Sequence, residues 1–549
     1  MNVATPQMNP ILTEIMQNAF ALIAEEMGVT LQKTSYSTNI KDRLDFSCAL
    51  YTPDGQLVAQ AEHIPLHLGQ MTAGIKNLLK TLKTPVESGS VYMVNDPIIT
   101  GAHFPDILMM KGVFHQETLI GIVANLAHHV DVGGFAPGSL YSGASEAFQE
   151  GVRVPPVRLV RKGEFQPEIM EFFLCNTRTE RENRGDCLAQ VAALAAGERK
   201  LLELTGRYDP AMVQSAMAAV ISYAERRIRA AMEGLPIAEA AFRDVIEGDG
   251  HTSEEIPIVV KVTSGPGHLS FDFTGSSPQV RGPINATFPF TLACVAFCVK
   301  ALLDPTTPAN EGMFAPLEVI VPGGSILNAA FPAAMSNNSS ILGLRIVDAI
   351  FGALSQIFPE NVTAASSGTM NVVTIGGFDP ARQERFAYIE SYGGGQGGSK
   401  GLDGMDGVHT TTSNTRNASA EAIERYYPIT VRRYGLVDNS AGMGEYRGGL
   451  GLFREFEFRA DTIFSLVSDR KAKQPWGLFG GEEGSASCCI LTGSNGSETV
   501  LPAKVTHAAS AGSKLYLATA GGGGYGSQAA RSAERRDNDQ RNGFIECLT

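Results

Sequence analysis

The chain has 549 residues, too many for one compact core, so two to four lobes are expected. Its composition is globular, with 44% hydrophobic and 18% charged residues. The formal net charge of −13 argues against nucleic acid as a partner, because phosphate backbones are bound by clustered Lys and Arg.

The first element is a helix. Asn9 and Pro10 offer an N-cap and a proline at the first helical position, and Leu12, Ile15, Met16, Ala19, Ile23 and Met27 follow at helical spacing. The N-terminus lacks a basic region followed by a long apolar one. No run of about 18 apolar residues occurs, so no membrane span is expected and the protein is read as cytoplasmic. "DFSCALYTPDGQLVAQ" predicts two short strands joined by "TPDG". "SVYMVNDP" and "TLIGIVANLA" predict buried strands.

Residues near 180–234 read as helical, broken at "YDP". "IPIVVKVTSGPGHLSFDFTG" alternates like a hairpin, and "FTLACVAFCVKALL" and "LRIVDAIFGALSQIF" look like buried helices. After about residue 370 the chain is strand and glycine. The expected fold class is α+β: a large multi-lobed subunit with mixed sheets, a helical middle segment and a glycine-rich, β-dominated C-terminal part. The expected divisions are 1–175, carrying a His/Asp cluster; 176–245, helical; 246–370, central α+β; 371–526, glycine-rich; and 527–549, a polar tail forming a surface helix or fraying.

Eight cysteines are scattered without a C-x-x-C pair, which disfavours thiolate zinc and thioredoxin-like sites; buried free thiols in a reducing compartment are expected. Histidine is more informative. Six of ten, His63, His67, His103, His115, His128 and His129, fall within residues 63–129, with Asp45, Glu62, Asn95, Asp96 and Asp106 around them. His103 and Asp106, three residues apart, can converge on one ion from a tight turn. A histidine at a neighbouring strand end can add a ligand, and Asp45 can close the set. Such a donor set suits Zn, Mn or Fe. Successive strand side chains point to opposite faces, so only one of His128 and His129 can join it; the other meets substrate or a supporting partner. Asp131 is a candidate to orient an imidazole, and His115 reads as surface. Spacing alone leaves a metal site and a structural polar cluster both open.

Other segments imitate motifs. "GGGQGGSKG", residues 393–401, has serine before lysine, the reverse of a phosphate loop, and close backbone packing or a substrate-facing turn is expected instead. Cys488 and Cys489 read as a packed strand. Trp476, beside Arg470, Lys471 and Lys473, could bind an anion or pack against a partner.

The series "DFSCALYTPDGQLVAQAEHIPLHLG", "VNDP", "HFPD", "AHHVDVGG", "FQEGVRVPPVRL", "RGDCLAQ", "DFTGSSPQVRGPIN", "GGGQGGSKGLDGMDGVHTTTSNTRN", "RGGLG", "SDR" and "GGGGYG" resembles the hydantoinase B/oxoprolinase family along nearly the whole chain. The resemblance implies the B-type subunit of an ATP-dependent cyclic-amide hydrolase acting on a hydantoin, 5-oxoproline or a similar lactam. It implies an A-type partner that binds ATP and phosphorylates the substrate, in a hetero-oligomer of two A and two B chains. It places metal ligands at Asp45, His103, Asp106 and His128, leaving Glu62, His63, His67 and His129 to orient water or substrate. A ketone carboxylase subunit of the acetone or acetophenone type is the alternative activity, and a scaffold without a working site is a third reading. "AAMSNNSSILGLR" departs from the usual pattern, where many relatives carry an Arg and a Thr, and leaves substrate identity open.

Overall fold

The computed structural model describes residues 8–61 and 64–544. Helix α1, Pro10–Thr34, starts where the sequence signals it, with the Asn9 side chain accepting from the Ile11 amide at 2.9 Å. A short α2, Thr38–Lys41, leads into the first sheet, formed by β1 Phe46–Tyr51, β2 Leu57–Gln60, β3 Val91–Val94, β4 Asp106–His115, β5 Thr118–His128, β6 Val157–Arg161 and β7 Glu164–Phe165. Its strand order is β2-β1-β5-β4-β3-β6-β7, and every neighbouring pair is antiparallel.

Both faces of this sheet are buried, and the period of two sorts its side chains between two cores. Phe46, Cys48, Leu50, Ile107, Met109, Val123 and Ala127 enter one core, with α1 and with α6 Glu180–Arg207 and α7 Pro210–Met232. Ala49, Tyr51, Leu108, Met110, Ile122, Ala124 and Leu126 enter the other, with α3 His67–Thr81, α8 Phe288–Leu303 and α9 Asn338–Leu354. Each fully buried large aliphatic side chain contributes about 1.5–3 kcal/mol. A one-residue slip would exchange the two sets, so the register, and with it the face of every polar residue at the strand ends, is strongly specified. Two more helices belong to this region: α4, Pro97–Thr100, precedes β4, and α5, Pro167–Leu174, follows β7.

The second sheet, β8 Ala238–Glu247, β9 Glu255–Gly265, β10 His268–Asp272 and β11 Glu318–Ile320, has the order β11-β10-β9-β8 and mixes antiparallel pairs with the parallel pair β10–β11. It shares its core with α8, α9 and one face of the first sheet.

Two antiparallel sheets close the fold. One has the order β13-β12-β16-β19, with β12 Val372–Asp379, β13 Glu384–Glu390, β16 Thr462–Val467 and β19 Lys504–Ala509. The other has the order β14-β15-β20-β17-β18, with β14 Ile429–Leu436, β15 Leu452–Phe458, β17 Cys488–Thr492, β18 Glu498–Val500 and β20 Lys514–Ala518. Val373, Ile375, Phe464 and Leu466 from the first of these meet Phe456, Phe458, Leu515 and Leu517 from the second in one core. Helix α10, Ala420–Tyr426, lies beside β14. The architecture is α+β.

The glycine-rich loops pack backbone against backbone. A Cβ on Gly395 would lie 2.0 Å from the Gly449 carbonyl oxygen and 2.2 Å from the Gly522 nitrogen. Residues 393–398 are thus held among other loops and offer no open phosphate cradle. Trp476 packs on Phe242 and its indole N–H donates to Asp244, which also meets Arg345 and Arg470 in a buried ion network. In the tail, α11 Ala533–Arg541 is pinned because Asp539 pairs with Arg531 and Arg447. Of the described cysteines, Cys48, Cys187, Cys294, Cys298 and Cys489 are buried free thiols; Cys175 is exposed at the end of α5 and Cys488 half-buried, against the expectation of uniform burial. Among the described residues, no helix is long and apolar enough to cross a membrane.

Candidate metal centre

Two local devices bring His103, Asp106 and His128 together. The first is a turn. Helix α4 ends at Gly101 with φ 73°, a left-handed position that glycine adopts without strain. The chain then folds so that the Asp106 amide donates to the His103 carbonyl at 3.0 Å. The second is strand register: Asp106 opens β4 directly opposite His128, the last residue of β5. Directly opposed residues point to the same face with Cβ atoms about 4.5–5.5 Å apart. Among the described residues these three form a group whose ligand atoms all lie within 4.8 Å of one another, and all three are buried.

The imidazoles are gripped from behind. His103 donates from Nδ1 to the Ser336 carbonyl at 2.6 Å, and its Nε2 lies 3.2 Å from Asp106 Oδ2. The Asn39 amide nitrogen reaches the His128 carbonyl at 2.7 Å and its Nδ1 at 3.1 Å, while the Asn39 oxygen accepts from Arg43. That network fixes the amide orientation, so His128 Nδ1 accepts and Nε2 is the ring's remaining nitrogen. Carboxylates or carbonyls behind a histidine set its tautomer and direction, a recurrent feature of metal ligation.

Burial disfavours charge on His103, but the Asp106 carboxylate and the Ser336 carbonyl outweigh it and lift the pKa to about 9. Burial pushes Asp106 upward as well, yet the charge on His103, its hydrogen bond and the neighbouring His128 and His67 hold it well below the usual carboxylate range. Burial and the charge on His103 press His128 down to about 3. His103 therefore carries a second ring proton, on the Nε2 that faces Asp106. Asp106 Oδ1 is buried and has no hydrogen-bond partner, an orphaned acceptor that a cation would satisfy. Two imidazoles and a carboxylate fit Zn, Mn or Fe.

These side chains line a cavity of ≈ 40 Å³, together with Ser340, Ser391 and Thr415 from the later part of the chain. Asp45 lines it too, beside Arg43 at 3.8 Å, but stands outside the group of three; burial raises its pKa. His67 faces the cavity from the first turn of α3, its Nδ1 3.0 Å from Ser47 Oγ, and burial lowers its pKa. Glu62 and His63 lie outside the described residues.

His129 is a correction. Its ring lies on the opposite face of the sheet, with Nε2 3.0 Å from Gln190 Oε1 and Nδ1 3.4 Å from Asn183 Oδ1, both on α6, and its edge against Phe173. The strand alternation that sends His128 to the cavity sends His129 away, so it contacts no reacting group there. Asp131 is another: instead of an imidazole it holds the Gly133 and Gly138 amides and Arg178. His115 is exposed at the β4–β5 turn. The sequence reading passed over Asn39, Arg43, Ser336 and Glu150. For Glu150 the signal was present, a lone carboxylate in "FQEG" before a glycine.

A buried cluster of two histidines and a carboxylate thus sits on a large α+β scaffold. The chain belongs to the hydantoinase B/oxoprolinase family, whose model matches residues 9–528. It is 41% identical to an uncharacterized protein of Methanocaldococcus jannaschii over 95% of this chain and 91% of that one. It is 36% identical to 5-oxoprolinase 1 of Arabidopsis thaliana, covering 93% of this chain but only 41% of the plant protein. The putative B component of a D-/L-hydantoinase from a Pseudomonas strain is 32% identical over 98% of this chain and 93% of its own. The crystal structure of ATP-dependent caprolactamase from Pseudomonas jessenii superposes with a TM-score of 0.91 at 27% identity, covering 98% and 94% of the two chains. Acetone carboxylase superposes with a TM-score of 0.90 at 18% identity, which shows the shared fold alone.

Proposed function

We propose that this protein is the metal-containing, B-type subunit of an ATP-dependent cyclic-amide hydrolase, working in the cytoplasm with an A-type chain that handles ATP, as two A and two B chains. The observation that carries the reading is the convergence of His103, Asp106 and His128 around the orphaned Asp106 Oδ1, in a chain related to an ATP-dependent caprolactamase and to 5-oxoprolinases. The Pseudomonas relative, named as one lettered component of a hydantoinase, supports the partner. The packed glycine segment at 393–398 supports assigning the nucleotide to that partner.

A lactam resists water because its nitrogen donates into the carbonyl. Phosphorylation of the carbonyl oxygen by the partner, with release of ADP, gives an imidate-like carbon; addition of one water and opening of the C–N bond give an acyl phosphate with a free amine, and a second water releases phosphate and leaves the open amino acid. His103, Asp106 and His128, with Asp45 at the edge, would hold the cation. A divalent transition ion there supplies Lewis acidity and lowers the pKa of a bound water toward about 7. His67, whose pKa burial lowers and whose Nδ1 meets Ser47, would accept the proton of the attacking water.

The test is direct. The purified complex, given ATP and a hydantoin or 5-oxoproline, releases ring-opened product and carries close to one equivalent of Zn, Mn or Fe per chain. No product from any lactam overturns the hydrolase; absence of transition metal favours a scaffold. The carboxylase alternative predicts ATP-dependent fixation of labelled bicarbonate onto a ketone, and it has only a shared fold in its favour.

A further inference from the structure

Glu150 is completely buried. It closes a short 3-10 turn, Ala147–Gln149, whose amide at Ala147 donates to the Pro332 carbonyl at 2.8 Å and so docks this loop against residues 331–337. Both carboxylate oxygens of Glu150 accept the Met335 amide at 2.9 Å, and Oε1 accepts the Ser336 amide at 2.6 Å. The Ser336 carbonyl in turn accepts from His103 Nδ1 at 2.6 Å. Burial pushes the Glu150 carboxyl up to about 7 and the Met335 and Ser336 amides pull against it, an expensive arrangement, since burying charge costs several kcal/mol unless its partners are well placed. A loop that needed only anchoring could use a neutral acceptor. Here the carboxylate fixes the amides of Met335 and Ser336, and the Ser336 carbonyl is the one that meets His103.

We infer that Glu150 is a positioning residue for the cation site: it locks the Met335–Ser336 backbone and, through the Ser336 carbonyl, holds the proton of His103 on Nδ1 and directs Nε2 at the ion. Glu150 touches neither ion nor substrate. The inference rests on the cation reading of the site given above, and it assigns a second chain segment, far from the ligands in sequence, to that site.

The test compares wild type, Glu150→Gln, Glu150→Asp and the control Gln149→Ala, each as the full chain. Glu150→Gln keeps the shape but turns one acceptor into a donor facing a donor. Gln149→Ala loosens the same loop by removing the acceptor for Ser145 and Glu146 without touching the Glu150–Ser336–His103 route. Zn²⁺ affinity is read by competition with a chelator, and Co²⁺ substitution reports ligand geometry through its visible spectrum. Glu150→Gln is expected to bind Zn²⁺ about 10–100-fold more weakly with an altered Co²⁺ spectrum, Glu150→Asp to fall between, and Gln149→Ala to keep wild-type affinity. Wild-type affinity and spectrum in Glu150→Gln, or equal weakening in Gln149→Ala, overturns the inference. Should the Glu150 variants fail to fold, hydrogen exchange of wild type decides: Zn²⁺ is expected to slow exchange at the Met335 and Ser336 amides, and an unchanged rate overturns the inference. A wild-type chain that binds neither ion refutes the cation reading itself, a result distinct from either.

Discussion

His128 and His129 are neighbours in sequence, both buried at the end of the same strand, and they belong to different chemistries. On the cavity face, His128 meets the His103 ring at 4.9 Å and the carboxylate of Asp106, whose Oδ1 lacks a partner. On the α6 face, His129 sits between two amide oxygens that are themselves tied down: the Asn183 nitrogen donates to the Asp131 carbonyl at 2.6 Å, and the Gln190 nitrogen to Asn125 and to the Ile107 carbonyl. His129 is surrounded by neutral amide groups with partners of their own, whereas His128 stands beside a buried ion pair with one carboxylate oxygen left over. Burial and polarity are the same for both, so neither distinguishes a site.

The sharpest way to break this comparison is to delete each side. His103→Ala or His128→Ala removes a proposed ligand; bound Zn, Mn or Fe is expected to fall below about a tenth of an equivalent and lactam turnover by about a thousandfold or more, equivalent to roughly 4 kcal/mol of transition-state stabilisation. Metal content that survives either change would contradict the assignment. His129→Ala is expected to do the reverse: unfolding free energy falls by about 2–3 kcal/mol in denaturant titrations, while metal content is unchanged. Loss of metal in His129→Ala would place both histidines in one site.

A finer contrast uses the residues behind the rings. Asn39→Ala withdraws the amide from His128 Nδ1 and is expected to weaken Zn²⁺ binding by about tenfold, whereas Asn183→Ala, behind His129, leaves Zn²⁺ binding intact and lowers stability alone. A last contrast is protonic. The Asp106 carboxylate and the Ser336 carbonyl lift His103 to about 9, while Asp106 is held well below the usual carboxylate range and burial presses His128 down. Ion uptake at pH 7 must therefore expel about one proton, and apparent affinity should rise about tenfold per pH unit from 7 toward 9 and then level off. Calorimetry in two buffers of different ionisation enthalpy measures the release; a value near zero would show that His103 is already deprotonated.

Much of the fold is legible in the sequence because its signals are local. The Asn9-Pro10 start of α1, the break at "YDP" between α6 and α7, and the hairpin around "SGPG" depend on neighbours within a few residues, and each stands where it was expected. The opposition of His128 and His129 was legible for the same reason, as a consequence of strand period. What lay out of reach was partnership across distance. The Asp106–His128 register, the Ser336 carbonyl behind His103 and Gln190 beside His129 join residues 22, 233 and 61 positions apart, and no periodicity encodes such pairings.

The amino-acid order alone therefore determined which residue types were available, where strands and helices begin, and that two adjacent histidines must part. Only the tertiary structure decided which of them faces the carboxylate. That choice follows from which face of a doubly buried sheet is covered by α3, α8 and α9 and which by α1, α6 and α7, and hydrophobic packing settles it over the whole chain at once.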